Sequence, residues 1–132
     1  MQAVTIPVEN INDWSSFHDV FQKGLGFPSL YGRNMDAWID CMTSIDSPED
    51  GLTRINVGTG EVLILRIDDA FRFRDRCPEQ YNAVIECCGF VNYRRTERGE
   101  PPVLALLLIG DASDAAPTIT LTPSPPSSGT QS

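Results

Sequence analysis

The chain has little with which to build a catalytic or metal centre. Its 132 residues include one histidine, His18, and its four cysteines, Cys41, Cys77, Cys87 and Cys88, form no Cys-x-x-Cys pair, so the ligand spacings of structural zinc are missing. There is no G-x-x-x-x-G-K or G-x-G-x-x-G phosphate loop, no H-E-x-x-H and no G-x-S-x-G. Those gaps remove the usual signatures of nucleotide-binding, metallohydrolase and serine-hydrolase chemistry. Ser15, His18 and Asp19 stand close together, but neighbours on one helix cannot converge as nucleophile, base and orienter. No cofactor, metal ligand or catalytic residue is expected, and the chain reads as a binding protein rather than an enzyme.

Basic charge is also scarce, with 10 Lys and Arg against 18 Asp and Glu and a formal net charge of −8. Nucleic acid and anionic membranes need a basic footprint to dock, so neither is an expected partner. The natural complement is a basic macromolecule. The imbalance is local: residues 1–71 hold eleven acidic side chains against four basic ones, while residues 72–132 hold seven against six. No stretch approaches the roughly 18 to 20 apolar residues that span a bilayer, and the first twenty residues carry no basic start followed by an apolar run. Neither export nor membrane insertion is indicated. Cysteines this few, two of them adjacent, fit free thiols in a reducing cytoplasm better than a disulfide scaffold.

Several short elements can be placed. Ala3 to Val8 is β-prone, with Pro7 marking its end. Asp13 or Ser15 caps a helix in which Trp14, Phe17, Val20, Phe21 and Leu25 fall near the 3.6-residue period, and Gly24, Gly26 and Pro28 stop it. Asn34 caps a second, short helix over Met35 to Thr43 with Met35, Trp38, Ile39 and Met42 as its apolar stripe. Residues 44–60 read as a long loop. Glu61 to Ile67 and Pro102 to Ile109 are strands apolar enough to be buried on both faces, with helices over 68–77 and 78–98 between them. The order β-α-α-β-α-α-β predicts an α/β fold, a small, mostly parallel three-stranded sheet covered by helices. Residues 1–110 form the expected domain. From Asp111 the composition cannot offset the entropy of ordering, and 111–132 is read as a disordered tail.

One pair of side chains stands out. Asp36 and Asp40 are four residues apart and share a face of the second helix, where like charges cost a few tenths of a kcal/mol. A solvated face, a chelating or acid/base pair, and a pair offered to a cationic partner all fit that spacing. Further converging ligands, which chelation needs, are not available. The Cys87-Cys88 pair is read as core packing, and Arg72, Arg74, Arg76, Arg94 and Arg95 as a balance to the acidic surface.

The run Tyr31-Gly32-Arg33-Asn34-Met35-Asp36-Ala37-Trp38-Ile39-Asp40-Cys41-Met42, preceded by Phe17-His18-Asp19 and Pro28, resembles the barstar family of ribonuclease inhibitors. Cys77-Pro78-Glu79-Gln80-Tyr81, Asn92-Tyr93-Arg94-Arg95 and Gly99-Glu100-Pro101-Pro102-Val103-Leu104 are similar to a bacterial branch of that family, so the likeness covers about residues 2–109. It implies that Asp36 and Asp40 plug the phosphate site of a barnase-type ribonuclease, with Tyr31, Gly32, Asn34 and Ile39 completing the contact surface. It also implies a cytoplasmic inhibitor, monomeric when free, whose partner is a basic extracellular-type ribonuclease or nuclease toxin. The alternative is an immunity or regulatory module of the same fold whose partner is not a ribonuclease. Three features depart from the family's best known member: Leu30 precedes Tyr31 where that member has a second aromatic, the acidic residues of its third-helix region have no clear counterpart, and the tryptophan stands at 38, with Ile39 directly before the second aspartate. That shift turns the indole by about 100° around the helix, away from the carboxylates and towards the core.

Overall fold

The computed structural model describes residues 2–110 and 118–121. Three parallel strands, β1 (Gln2–Thr5), β2 (Leu63–Ile67) and β3 (Leu104–Leu108), pair in that order, with Gln2 opposite Leu63 and Leu63 opposite Leu104. Helices α1 (Trp14–Leu25) and α2 (Met35–Thr43) lie in the first crossover, α3 (Ala70–Arg76) and α4 (Pro78–Glu97) in the second. The expected small α/β fold with a parallel sheet is therefore present. A fourth strand, β4 (Thr118–Leu121), runs antiparallel to β3 and adds an edge to the sheet. It falls inside the stretch read from composition as a tail; residues 111–117 and 122–132 of that stretch lie outside the described residues. The open edge of β3 offers unpaired backbone groups, and a Thr-Ile-Thr-Leu segment has the β propensity to satisfy them.

The strands are less symmetric than their composition predicts. Leu63, Leu65 and Ile67 of β2 join the core, yet on the opposite face Ile64 is half-buried and Arg66 is exposed, so β2 alternates instead of being buried on both sides. The apolar run misled because Ile64 counts as hydrophobic wherever it points. Phe17, Phe21, Trp38, Phe73 and Leu104 fill the space between helices and sheet. Trp38 is fully buried edge-on against Phe21, 5.5 Å between ring centres, as its rotation from the aspartates requires. Among the described residues, its indole N–H is a buried side-chain donor without a hydrogen-bond partner.

The ends of the helices follow local chemistry. Asp13 caps α1 by accepting from the Ser16 N–H at 2.8 Å, and Ser16 Oγ accepts in return from the Asp13 N–H at 3.0 Å. Gly26 closes α1 with φ +73°, and a Cβ there would run into Arg54, so only glycine fits. The 44–60 segment is a packed connection: Ile45 and Val57 enter the core, Pro48–Asp50 forms a 3-10 turn, and the Leu25 carbonyl accepts from Arg54 N–H at 2.8 Å. All four cysteines are buried and none is joined in a disulfide. Among the described residues, no helix is long and apolar enough to cross a membrane.

Candidate acidic binding face on the second helix

The segment leading into α2 is clamped to α1. Arg33, at φ +56°, donates to the Ser15 carbonyl at 2.9 Å, to Gln22 Oε1 at 3.0 Å and to Asp19 Oδ1 at 2.8 Å. A left-handed conformation in a non-glycine residue costs on the order of 1 kcal/mol or more, and those three bonds hold it in place. Pro28 closes the turn by accepting from Tyr31 N–H at 2.9 Å and from Gln22 Nε2 at 3.0 Å. Tyr31 is buried, packs on Phe27, and shares a 2.6 Å hydrogen bond with His18 Nδ1. Burial pushes the Tyr31 phenol well above its usual range, with a smaller push from Cys41. Burial also lowers the His18 pKa, helped by the Arg33 charge and opposed by Asp19. In the sequence His18 stands out only as a neighbour of Ser15 and Asp19 on one helix, and Arg33 only as part of the family-like run. The pattern that could have exposed their role is the i, i+4 row Ser15–Asp19 with Gln22 on α1, which presents acceptors towards the α2 entry.

From this anchored entry α2 starts cleanly. Asn34 Oδ1 accepts from the Ala37 N–H at 2.8 Å, and its carbonyl accepts from Trp38 N–H. Met42 and Trp38 pin the buried face of the helix. Asp36 and Asp40 project from the exposed side, as their spacing predicts, while Ile39 between them is buried against α4. Asp36 sits in the first turn, where the helix dipole favours a carboxylate. Gly32 is exposed, and Leu30, immediately before Tyr31, is 93% exposed, the most open large apolar side chain among the described residues. The six residues picked from the sequence thus fall into two sets. Gly32, Asp36 and Asp40 are open to a partner, whereas Tyr31 and Ile39 are buried beneath them and Asn34 is engaged as the helix cap.

Across from α2, helix α4 supplies a residue that the sequence reading treated only as charge balance. Arg94 Nη1 donates to Asp40 Oδ1 at 2.7 Å, with both side chains substantially exposed. Its neighbour Arg95 corrects the same reading more sharply. Arg95 is buried, and bonds both oxygens of Asp46 at 2.9 and 2.8 Å, the Thr43 carbonyl at 3.0 Å and the Pro101 carbonyl at 2.8 Å. Burial, then the nearby charges of Glu86 and Asp36, raises the Cys87 thiol to about 11, so it is a packed group rather than a reactive one. Among the described residues, no three His, Cys, Asp or Glu side chains gather where a metal ion would sit.

The arrangement presents two carboxylates on α2, and the exposed Leu30 lies in the turn that precedes the helix. Residues 1–106 match the family model described as Barstar (barnase inhibitor). No curated protein matches the chain.

Proposed function

This chain belongs to the barstar family, and on that premise we propose that it is an inhibitor of a basic, barnase-type ribonuclease, inserting Asp36 and Asp40 into the enzyme's phosphate site. The observation that carries the reading is that both carboxylates stand exposed on the outer face of α2, a helix fixed at its entry by Arg33 and Asn34 and at its back by Trp38. Carboxylates held in place lose little freedom on binding, and they match the charge of a cleft built for phosphates. Leu30, open to solvent in the turn before α2, supplies an apolar contact. The net charge of −8 draws a basic enzyme in from a distance, so added salt slows association. The protein acts in the cytoplasm as a monomer, without catalysis of its own, and protects the cell that makes it from its own ribonuclease or from a competing toxin. A second reading, a binding module of the same fold for a target that is not a ribonuclease, draws on Arg94, whose positive charge beside Asp40 suits a purely cationic cleft poorly.

The test is titration of barnase with the native chain and with Asp36→Ala, Asp40→Ala and a control, Glu49→Ala, in the exposed turn beyond α2. Inhibition of ribonuclease activity is expected, with Asp40→Ala binding weaker by about 2–5 kcal/mol, mainly through faster dissociation. That range already counts charge pairs of the barnase–barstar interface among its sources. If all three variants bind within a few-fold of the native chain, the acidic face is only solvated. If the native chain leaves barnase active, the target lies elsewhere.

A further inference from the structure

An open groove of about 580 Å³ runs between α2 and α4. Met35, Ile39, Cys87 and Phe90 give it an apolar floor, Asp36 of α2 supplies charge on one side, and Arg94, Glu97 and Arg98 of α4 supply it on the other. Phe90 keeps 40% of its surface open there. The groove is continuous with the acidic face, because Asp36 belongs to both and Arg94 reaches across to Asp40 at 2.7 Å. A partner that covers Asp36 and Asp40 therefore covers this floor as well.

The inhibitor reading accounts for the carboxylates and leaves Arg94 unexplained. Arg98 keeps its own counter-charge in Glu100, 3.0 Å away. Arg94 does not fare so well: it pairs with Asp40 and makes no ion pair with Glu97 of the same groove, so once the partner's cations take Asp40 the guanidinium is left beside them with like charge. Such a juxtaposition is strongly unfavourable at an interface. We propose that the partner carries a carboxylate at the edge of its cationic cleft, above the α2–α4 groove, and that Arg94, handed over from Asp40 on binding, pairs with it and so selects among targets. The proposal rests on the ribonuclease-inhibitor reading above. The exchange is easy because the pair being given up is exposed and worth little, whereas the two pairs formed in its place are desolvated and hold firmly. Arginine suits the task, since its planar fork meets a carboxylate through two parallel bonds.

The experiment uses displayed, catalytically inactivated barnase in which the surface residues ringing the cleft are randomised, sorted separately against the native chain and Arg94→Glu. The native chain should enrich Asp and Glu on one side of the cleft, and Arg94→Glu should enrich Lys and Arg at the same positions. Each chain should bind its own clones at least about tenfold more tightly than the other's. Arg94→Ala and Arg94→Gln, which keep the native melting curve because the side chain is exposed, should lose that preference together. The proposal is overturned if both chains enrich the same clones, or if Arg94→Ala binds the native-selected clones as tightly as the native chain does. Binding without any charge preference sinks this proposal and leaves the inhibitor reading standing; no binding by any clone sinks both.

Discussion

Two Asp–Arg pairs join the α2 region to α4, and their arginines are neighbours in the chain. Asp40–Arg94 is a single contact of 2.7 Å between side chains 64% and 45% exposed, whereas Asp46–Arg95 is a two-point contact between side chains 11% and 4% exposed. The chemistry is the same and the consequence is opposite. In water the first pair gains little beyond what it loses in side-chain freedom, and its carboxylate stays available to a partner. The second lies where an unpaired charge has no solvent to turn to, and Arg95 also satisfies the last carbonyl of α2 at Thr43 and that of Pro101. One pair is poised to be exchanged; the other locks the end of α2 to α4 so that the exposed face is presented rigidly.

The comparison breaks most visibly in stability. Arg95→Ala strands Asp46 and should cost about 3–5 kcal/mol in a denaturant titration, while Arg94→Ala should change it by less than ~1 kcal/mol. The double variant Asp46→Leu, Arg95→Met should recover much of the loss, because the penalty lies in the unpaired charge. Equal losses from Arg94→Ala and Arg95→Ala would erase the distinction. In binding the order reverses. Asp40→Ala should lose about 2–5 kcal/mol of affinity for the ribonuclease while its unfolding free energy stays within ~0.5 kcal/mol of native, a split that paired calorimetry and melting experiments resolve.

Acid should sharpen the contrast at the other clamp, between α1 and the binding segment. The His18 pKa is held below its ordinary 6.5 by burial and by Arg33, so the unfolded chain takes up this proton more readily than the folded one. Its contribution to stability is intact above about pH 6.5 and is lost as pH falls from there through the folded value. The slope contributed is at most about 1.4 kcal/mol per pH unit, and His18→Gln should remove it, as pH-dependent denaturant curves would register. The smallest effect concerns the edge strand. Truncation after Gly110 removes β4 and its antiparallel pairing with β3. We expect a loss within ~1 kcal/mol and an unchanged cooperative transition, since a short edge strand adds only a few modest net hydrogen bonds. A larger drop would make β4 part of the domain.

Much of this was readable from residues alone where the cause is local. Asn34 before an apolar period of 3.6 names the cap and start of α2, the four-residue spacing places Asp36 and Asp40 on one face, and the one-position shift of Trp38 turns it into the core. The parallel sheet followed from the apolar runs at 63–67 and 104–108 and the helical patterns between them. Less was readable where the answer depends on what lies opposite. Arg94 and Arg95 look alike in sequence, and Tyr31 and Ile39 look as available as Gly32.

The sequence by itself determined the caps, the helical faces, the parallel sheet and the acidic character of the first half, because each depends on neighbours within a few residues or on summed charge. Only the tertiary structure decided that Arg95 is buried on Asp46 while Arg94 reaches Asp40 in solvent, that His18 and Arg33 hold the entry to α2, and that β4 pairs with β3. Those partners are 49, 54, 13 and 14 residues apart for the side-chain contacts, and whether each contact is strong or negligible is set by how much water the folded chain leaves around it.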